Sequence, residues 1–152
     1  MNAEIRVNII ERLLASGRYL DQGDFEAYLS LFDDDGEYLI VADVPEIAGH
    51  ATWMDLTKAE LQGLLESASR HMWNSGVRTH HIAAPCFTRT DNAIETVAAV
   101  SVFRTCSKGS TTVYAVGQYH DWWVLQGEAW LLKRRRLQLA TRDLTPPSAL
   151  PL

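Results

Sequence analysis

The sequence predicts an α+β fold in which helices come first and a long antiparallel meander follows. The second half of the chain contains consecutive segments with strand character, which are Arg78–Arg89, Ile94–Cys106, Thr111–Leu125 and Trp130–Ala140. The segments that join them are short and rich in Gly, Asn, Asp and Ser, so neighbouring strands are expected to pair directly. Helical periodicity dominates the part of the chain before them. Helices followed by a run of strands are typical of the α+β class.

Three helices and one early strand are predicted before the meander. Apolar residues at helical spacing predict the first helix, and they are Ile5, Ile9, Leu13 and Leu20. Asp24 is placed to cap a short second helix, and the capping box Thr57-x-x-Glu60 opens a third helix that continues to Met72. Between the second and third helices, Asp33–Gly36 is predicted to be a turn and Glu37–Ala42 a strand.

The last strand predicts that the sheet is bent. Trp130 and Leu132 share one face, whereas strict alternation places Leu137 and Leu139 on the other face. A bulge near the intervening arginines would return both pairs to the same side. Bent strands that wrap around helices predict a cone, with either a small-molecule pocket or a platform for other chains.

The length of 152 residues suits one domain. We assign residues 1–143 to it and residues 144–152 to an extended, Pro-rich tail that is expected to lie free or across a neighbouring chain. The net charge of −5 argues against partners such as nucleic acid or an anionic membrane. The start of the chain lacks an apolar signal segment, no apolar run is long enough to span a bilayer, and the two cysteines are interpreted as reduced thiols, so a cytoplasmic location is expected.

Several histidines and carboxylates are candidates for catalytic or metal-binding groups. His80 and His81 are adjacent in a strand, so their side chains face opposite sides and do not form a metal pair. Asp21 and His81 are the one pair that could converge in the cone for acid–base chemistry. The plainer alternative for Asp21 is local hydrogen bonding in a Gly-containing turn. The Asp33-Asp34-Asp35 run lacks the Gly and Glu of a calcium loop, so the sequence predicts no metal site there.

Arginine and tryptophan in the last two strands indicate a protein interface. Arg134, Arg135 and Arg136 need partners or solvent, because guanidinium groups are costly to bury unpaired. Trp122 and Trp123 face opposite sides of their strand, so one of them is expected on the outside, where a partner chain would cover it. The predicted contact residues are Arg104, Tyr119, Asp121, Trp122, Arg134, Arg135 and Arg136.

Several short motifs together resemble the β (small) subunits of aromatic-ring-hydroxylating dioxygenases. The motifs are Tyr19-Leu20-Asp21-Gln22-Gly23-Asp24-Phe25, Leu31-Phe32-Asp33-Asp34 before Tyr38-Leu39-Ile40, Arg78-Thr79-His80-His81-Ile82, Phe103-Arg104, Gly117-Gln118-Tyr119-His120-Asp121, and Trp130 leading into Arg134-Arg135-Arg136-Leu137. Their order and spacing extend over nearly the whole chain. The segment 44–53 departs from the polar loop that many members carry.

The resemblance implies a cystatin-like cone of the nuclear-transport-factor-2 (NTF2-like) type, in which N-terminal helices pack in a strongly bent, mixed, mostly antiparallel sheet. It also implies a homotrimer that supports and positions a separate α subunit in the breakdown of aromatic compounds. The α subunit of this family holds the Rieske [2Fe–2S] cluster and the mononuclear iron. This sequence has no ligand pattern for either group, so no cofactor, metal or catalytic residue is expected in this chain.

Two alternatives share the predicted cone. Scytalone-dehydratase-like and SnoaL-like enzymes are similar at Asp21 and at Arg78-Thr79-x-His81, which would make the chain a dehydratase or cyclase of a small molecule. Their second catalytic histidine is matched here by Cys106, which argues against that function. The other alternative is a free-standing module that binds a hydrophobic ligand, since a fold alone does not determine function.

Overall fold

The computed structural model describes residues 1–71, 76–148 and 150–152, with the side chains of residues 69–71 also outside the description. The helices are α1 (Ala3–Gln22), α2 (Phe25–Leu29) and α3 (Lys58–His71), with a 3-10 turn at Pro45–Ile47. The strands are β1 (Phe32–Val44), β2 (Gly49–Thr57), β3 (Val77–Ile82), β4 (Cys86–Arg89), β5 (Ile94–Thr105), β6 (Thr111–Gln126) and β7 (Ala129–Leu139). Met72, predicted to extend the third helix, lies outside the described residues.

The strands form one mixed sheet, and this confirms the predicted α+β architecture. Its order is β2-β1-β7-β6-β5-β3, with β4 also paired to β5. Consecutive strands β5, β6 and β7 pair antiparallel, as predicted for the meander. The pair of β1 and β7 is parallel and joins the first strand to the last. The sheet therefore curves around helices that the early part of the chain supplies.

Local sequence explains where the helices begin and end. The side chain of Asn2 accepts a hydrogen bond from the N–H of Ile5 at the start of α1, and Gly23 ends that helix in the left-handed region at φ 70°. Asp24 caps α2 through the N–H of Ala27, as predicted. Thr57 and Glu60 form the predicted capping box of α3, since the Glu60 carboxylate accepts from the N–H of Thr57 and the Thr57 hydroxyl accepts from the N–H of Glu60.

The predicted bulge in the last strand is confirmed. Trp122 pairs with Arg134 and Trp123 pairs with Leu132, so Lys133 is an extra residue on β7. Leu132, Leu137 and Leu139 are consequently all buried on the same side of the sheet. The bulge also changes which of the following arginines faces the interior.

The early strands differ from the prediction in three places. β1 begins at Phe32, so Asp33–Gly36 belongs to a strand and is not a separate turn. Residue Asp33 is tolerated there because Lys133 donates to its carboxylate at 2.9 Å, and Gln126 donates to it as well. Strand β2 was not predicted, and the predicted strand Arg78–Arg89 is divided into β3 and β4 by residues 83–85, which include Pro85.

The tail is also different from the prediction. Residues 150–152 fold back into the open end of the cone, where Leu150 and Leu152 join the hydrophobic core. Residues 150–152 are therefore not free, and they pack on their own chain instead of a neighbouring one. Its sequence lacks regular periodicity, so only the tertiary contacts described below reveal where it lies.

Among the described residues, no helix combines the length and the apolar character that crossing a bilayer requires.

Candidate functional site

The interior of the cone contains a histidine–carboxylate pair between α1 and β3. The Nδ1 atom of His80 lies 2.5 Å from Oδ1 of Asp21, and the main-chain N–H of His80 donates to Oδ2 of the same carboxylate at 2.9 Å. The His80 side chain is fully buried, whereas the Asp21 side chain is 21% exposed. With Nδ1 facing the carboxylate, Nε2 is the nitrogen that remains free, and it has no hydrogen-bond partner.

The sequence predicted that Asp21 pairs with His81, and this is wrong, because Asp21 pairs with His80. β3 alternates so that His80 faces α1 and His81 faces outward, where it is exposed and packs edge-on against Phe103 at a centroid distance of 5.0 Å. Gly17 of α1 permits the close approach, since a Cβ there would lie 3.0 Å from the Cβ of His80. The prediction that the two histidines face opposite sides is confirmed.

Burial and charge have opposing effects on His80. Burial lowers the pKa of its ring below the ordinary value, and the Asp21 carboxylate only partly reverses that effect. The ring is therefore neutral near pH 7. A neutral imidazole that is held by a carboxylate at Nδ1 and free at Nε2 can act as a general base, provided that a substrate reaches Nε2.

A buried ion pair lies beside this histidine in the interior. Arg135 binds Asp121 through two parallel hydrogen bonds of 2.9 Å and 2.7 Å, and its third nitrogen donates to the Ser16 hydroxyl. Ser16 in turn donates to the main-chain oxygen of Leu13, which ties the ion pair to helix α1. Burial lowers the pKa of Arg135, but Asp121 and nearby tyrosines raise it well above its ordinary value, so the guanidinium stays charged.

Tyrosines surround the ion pair. The guanidinium carbon of Arg135 lies 4.0 Å from the centroid of the Tyr119 ring, in a cation–π contact. The hydroxyls of Tyr28 and Tyr119 are buried and have no hydrogen-bond partner. Burial raises the pKa of Tyr28, Tyr38 and Tyr119, so these rings are neutral phenols. They add neutral hydrogen-bonding groups around the buried ion pair.

Arg78 stands at the open end of the cone and contacts the tail. Its Nη1 donates to the main-chain oxygen of Pro151 at 3.0 Å, while Nη2 has no hydrogen-bond partner. Burial lowers the pKa of Arg78, which nearby tyrosines and Asp21 partly offset. A groove of about 320 Å³ opens beside it, with Asp21 and Leu150 also in its wall.

Three of the residues that the sequence assigned to a subunit interface are instead in the interior. Tyr119, Asp121 and Arg135 are each at most 1% exposed. Their positions follow from the Lys133 bulge and from strand alternation, which turn them toward the helices. A side chain with no exposed surface does not make a direct contact with another chain, so this part of the interface prediction is wrong.

The other predicted contact residues keep some exposed surface, and their role stays a prediction. Trp122 and Arg134 are neighbours across β6 and β7, with the Arg134 guanidinium carbon 5.6 Å from the centroid of the Trp122 ring. Arg134 also pairs with Glu37 at 3.5 Å. Arg136 is partly buried on the same side, and Arg104 is the cross-strand neighbour of Arg78.

The face of the sheet that carries Trp122 also carries several exposed apolar side chains. We define this outer face by Val97, Val113, Val116, Trp122 and Arg134. Val97, Val113 and Val116 are 37%, 59% and 40% exposed, respectively. Exposed valines on the same side of a sheet as a partly exposed tryptophan are typical of a contact surface.

Sequence reasoning missed some members of the interior site. Ser16, Tyr28 and Tyr38 were given no role beyond the apolar faces of their elements, yet all three have polar atoms in the cluster around Arg135 and the tail. Ser16 in the middle of an apolar helix face was the available signal, because a buried hydroxyl needs a partner. Among the described residues, no three of the side chains His, Cys, Asp and Glu come close enough to hold a metal ion.

Comparisons with known proteins define the class. Residues 1–136 match the family model of the SnoaL-like domain, so the chain belongs to the SnoaL-like domain family. Within that class, it is 30% identical over 139 residues to the β subunit of 2-aminobenzenesulfonate 2,3-dioxygenase from Alcaligenes sp.. The match covers 91% of this chain and 93% of that relative. The predicted resemblance to dioxygenase β subunits is thereby confirmed.

Solved structures confirm the predicted cystatin-like, NTF2-like fold. The β subunit of a protein assigned as an aromatic-ring-hydroxylating dioxygenase from Novosphingobium aromaticivorans superposes with a TM-score of 0.82 at 24% identity, covering 91% of each chain. A protein from the same organism assigned as a scytalone dehydratase superposes with a TM-score of 0.68 at 21% identity. The match covers 91% of this chain and 85% of that one. An NTF2-like protein with a cystatin-like fold, also from that organism, gives 0.70 at 22% identity, covering 98% and 90%.

Proposed function

We propose that this chain is the β subunit of a Rieske-type aromatic-ring-hydroxylating dioxygenase. Its role is to assemble and position an α subunit that carries the iron centres. The observation that carries the proposal is the 30% identity to a dioxygenase β subunit, which extends over nearly the full length of both chains. The proposed assembly is a homotrimer of this chain with α subunits in the cytoplasm, acting in the breakdown of aromatic compounds.

The positions of the side chains that could ligate iron support a role without iron. Cys86 is exposed on β4 and Cys106 follows the end of β5, so the two thiols belong to different parts of the sheet. A Rieske cluster needs two cysteines and two histidines in one place, and the described residues do not assemble such a set. We therefore propose that the [2Fe–2S] cluster and the mononuclear iron are bound by the α subunit.

The outer face supports a role in assembly. Its valines are exposed and Trp122 is partly exposed, and the Arg134 side chain beside Trp122 supplies a guanidinium for pairing with a carboxylate of a partner. Exposed aromatic and arginine side chains are the groups that contribute most to protein–protein binding. We assign this face to contacts with other subunits.

Co-purification tests the proposal. The chain is produced alone and mixed with a Rieske-type dioxygenase α subunit, and the products are separated by size-exclusion chromatography with light scattering. We expect a colourless trimer that forms a stable complex with a red-brown, iron-containing partner. A chain that stays monomeric and does not bind that partner would contradict the proposal.

A second candidate function is general acid–base catalysis by Asp21 and His80, as in a small-molecule dehydratase or cyclase. The observation that favours it is the carboxylate-held, neutral imidazole with a free Nε2 in the cone. Against it, the His80 side chain is fully buried, and among the described histidine side chains none is hydrogen-bonded to the pair. Turnover of a cyclic hydroxy-ketone by the isolated chain, lost in both Asp21→Asn and His80→Gln, would establish this function. Absence of turnover in the unmodified chain would exclude it for that substrate class.

A further inference from the structure

The tail is held in the cone by specific polar contacts at three points. The hydroxyl of Tyr114 donates to the main-chain oxygen of Pro146, and Arg78 donates to that of Pro151. The hydroxyl of Tyr38 both donates to the main-chain oxygen of Leu152 and accepts from its N–H, each at 3.0 Å. These three side chains come from three different strands, β1, β3 and β6, so the sheet forms a recognition surface for an extended segment.

Burial of the apolar side chains accompanies these contacts. Leu150 is 7% exposed and Leu152 is 1% exposed, and both belong to the same core cluster as Tyr38 and Tyr119. Pro151 between them is also buried, and its fixed φ keeps the segment extended. Apolar pockets for alternate side chains combined with main-chain hydrogen bonds are the usual features of a peptide-binding groove.

We propose that the open end of the cone is a binding site for an extended Leu-Pro-Leu segment. Residues 150–152 of the same chain are its resident ligand. They dock and undock as a strap over the polar cluster around Arg135.

Two observations indicate that docking is reversible. Within the described parts of the tail, 144–148 and 150–152, no residue belongs to a sheet ladder, so the tail is joined to the rest of the molecule mainly by the three side-chain contacts and by its buried leucines. Segments with few backbone hydrogen bonds open at lower free energy than the strands around them. The strap also leaves hydrogen-bonding capacity unused around it, since Nη2 of Arg78 and the hydroxyls of Tyr28 and Tyr119 have no partner. Residues 150–152 thus satisfy only some of the hydrogen-bonding groups of the interior.

Amide hydrogen exchange, followed by nuclear magnetic resonance on the full chain, tests the strap. The N–H of Leu152 is expected to exchange more slowly than in an unfolded chain but faster than the N–H groups of β5 and β6. Exchange of Leu152 at the unfolded rate would show that the segment is not docked. Exchange only together with the central strands would show that it never opens by itself. Either result overturns the proposal.

Variants of the recognition surface sharpen the test. Tyr38→Phe removes both hydrogen bonds to Leu152 and is expected to speed exchange of the Leu152 amide by about tenfold or more, with no change in β5. Tyr19→Phe, on a half-buried tyrosine of α1 that does not bond to the strap, is the matched control and is expected to leave the rate unchanged. Equal rates in Tyr38→Phe and in the unmodified chain would overturn the proposal.

A change in the strap itself covers the case in which Tyr38→Phe fails to fold. Leu152→Ala leaves the side chains of Tyr38, Arg78 and Tyr114 unchanged and removes most of the apolar contact that residue 152 makes with the core. The pentapeptide Ser-Ala-Leu-Pro-Leu is then expected to bind this variant at least about tenfold more tightly than it binds the unmodified chain, with shifts in the resonances of Tyr38 and Arg78. The peptide Ser-Ala-Ser-Pro-Ser is the control and is expected not to bind. Failure of the leucine peptide to bind Leu152→Ala would overturn the proposal.

Discussion

Arg135 shows how one residue determines the character of the cone's interior. Its guanidinium is completely buried, and its charge is balanced by Asp121 in a bidentate pair. From the sequence, the Arg134–Arg136 run predicts a contact surface. The exposed Arg134 side chain is compatible with that prediction, and the buried Arg135 side chain is not. Because an extra residue at Lys133 shifts the alternation, only the middle arginine turns inward. The bulge itself was predictable, but its exact residue was not, and that residue decides which arginine is buried.

Removing the Arg135 side chain is expected to be strongly destabilising. Arg135→Ala would leave the Asp121 carboxylate buried without a partner, and we expect the free energy of unfolding in urea to fall by about 3–5 kcal/mol. Arg134→Ala is the matched control, since that side chain is 45% exposed in its pair with Glu37 and is expected to cost about 1 kcal/mol or less. Similar losses in the two variants would contradict the importance of the buried pair.

His80 is expected to make stability depend on pH. Burial lowers the pKa of its ring in the folded chain below the ordinary value of 6.5, so the unfolded chain binds the proton more readily. Stability from this group is therefore complete above pH 6.5 and decreases as the pH falls toward the folded-state pKa. Urea unfolding between pH 7.5 and pH 5.5 measures the slope. We expect His80→Gln to reduce the dependence of the unfolding free energy on pH. His81→Gln changes the exposed neighbour and is expected to leave that dependence unchanged.

At the scale of elements, sequence patterns located the helices better than the early strands. Capping side chains at Asp24 and Thr57 mark helix starts through local contacts, and local contacts are what a sequence displays. The β2 strand is an edge strand with an irregular exposure pattern and a bulge opposite Ile40 and Val41, so alternation does not reveal it. The strand character of Asp33–Gly36 depends on Lys133, a residue far along the chain, and local propensity does not include such a partner.

Two glycines provide a matched test of element packing. A Cβ at Gly117 of β6 would lie 2.3 Å from the main-chain oxygen of Gln138 on β7, so the strands would have to separate. We expect Gly117→Ala to lower stability by about 1–3 kcal/mol in thermal unfolding. Gly63 in α3 has open space at the same position, and Gly63→Ala is expected to raise stability by about 0.5–1 kcal/mol because alanine favours the helix. Destabilisation by both substitutions would refute this account of Gly117.

At the scale of the whole molecule, the α+β class, the antiparallel meander and the cone were predictable, but the contents of the cone were not. The order of elements and the run of strands indicate the fold class, because these features depend on periodicity. The identity of the inward histidine depends on the register between β3 and α1, and the position of the tail depends on contacts with Tyr38, Arg78 and Tyr114. Such long-range contacts leave no periodic signal in the sequence.

The outer face supplies the prediction for assembly. Trp122→Ala and Val116→Ser are expected to weaken self-association by about tenfold or more while the melting temperature changes little, since both side chains lie on the surface of the single chain. Sedimentation velocity across a concentration series measures the association. Val7→Ser is the control, because Val7 is also exposed but lies on α1 away from the sheet. Equal weakening by Val7→Ser, or none by the other two, would contradict the assignment of this face.

The parallel pairing of β1 with β7 has a consequence for biosynthesis. Ile40 of β1 lies beside Leu137 of β7, so the first strand pairs with the last strand along the chain. A ribosome must therefore deliver almost the entire polypeptide before the partner of its first strand exists. Until then β1 has β2 alone as a paired strand, and its other edge remains open to unwanted association. Chaperone demand during translation should consequently fall only when the final arginine-rich strand emerges.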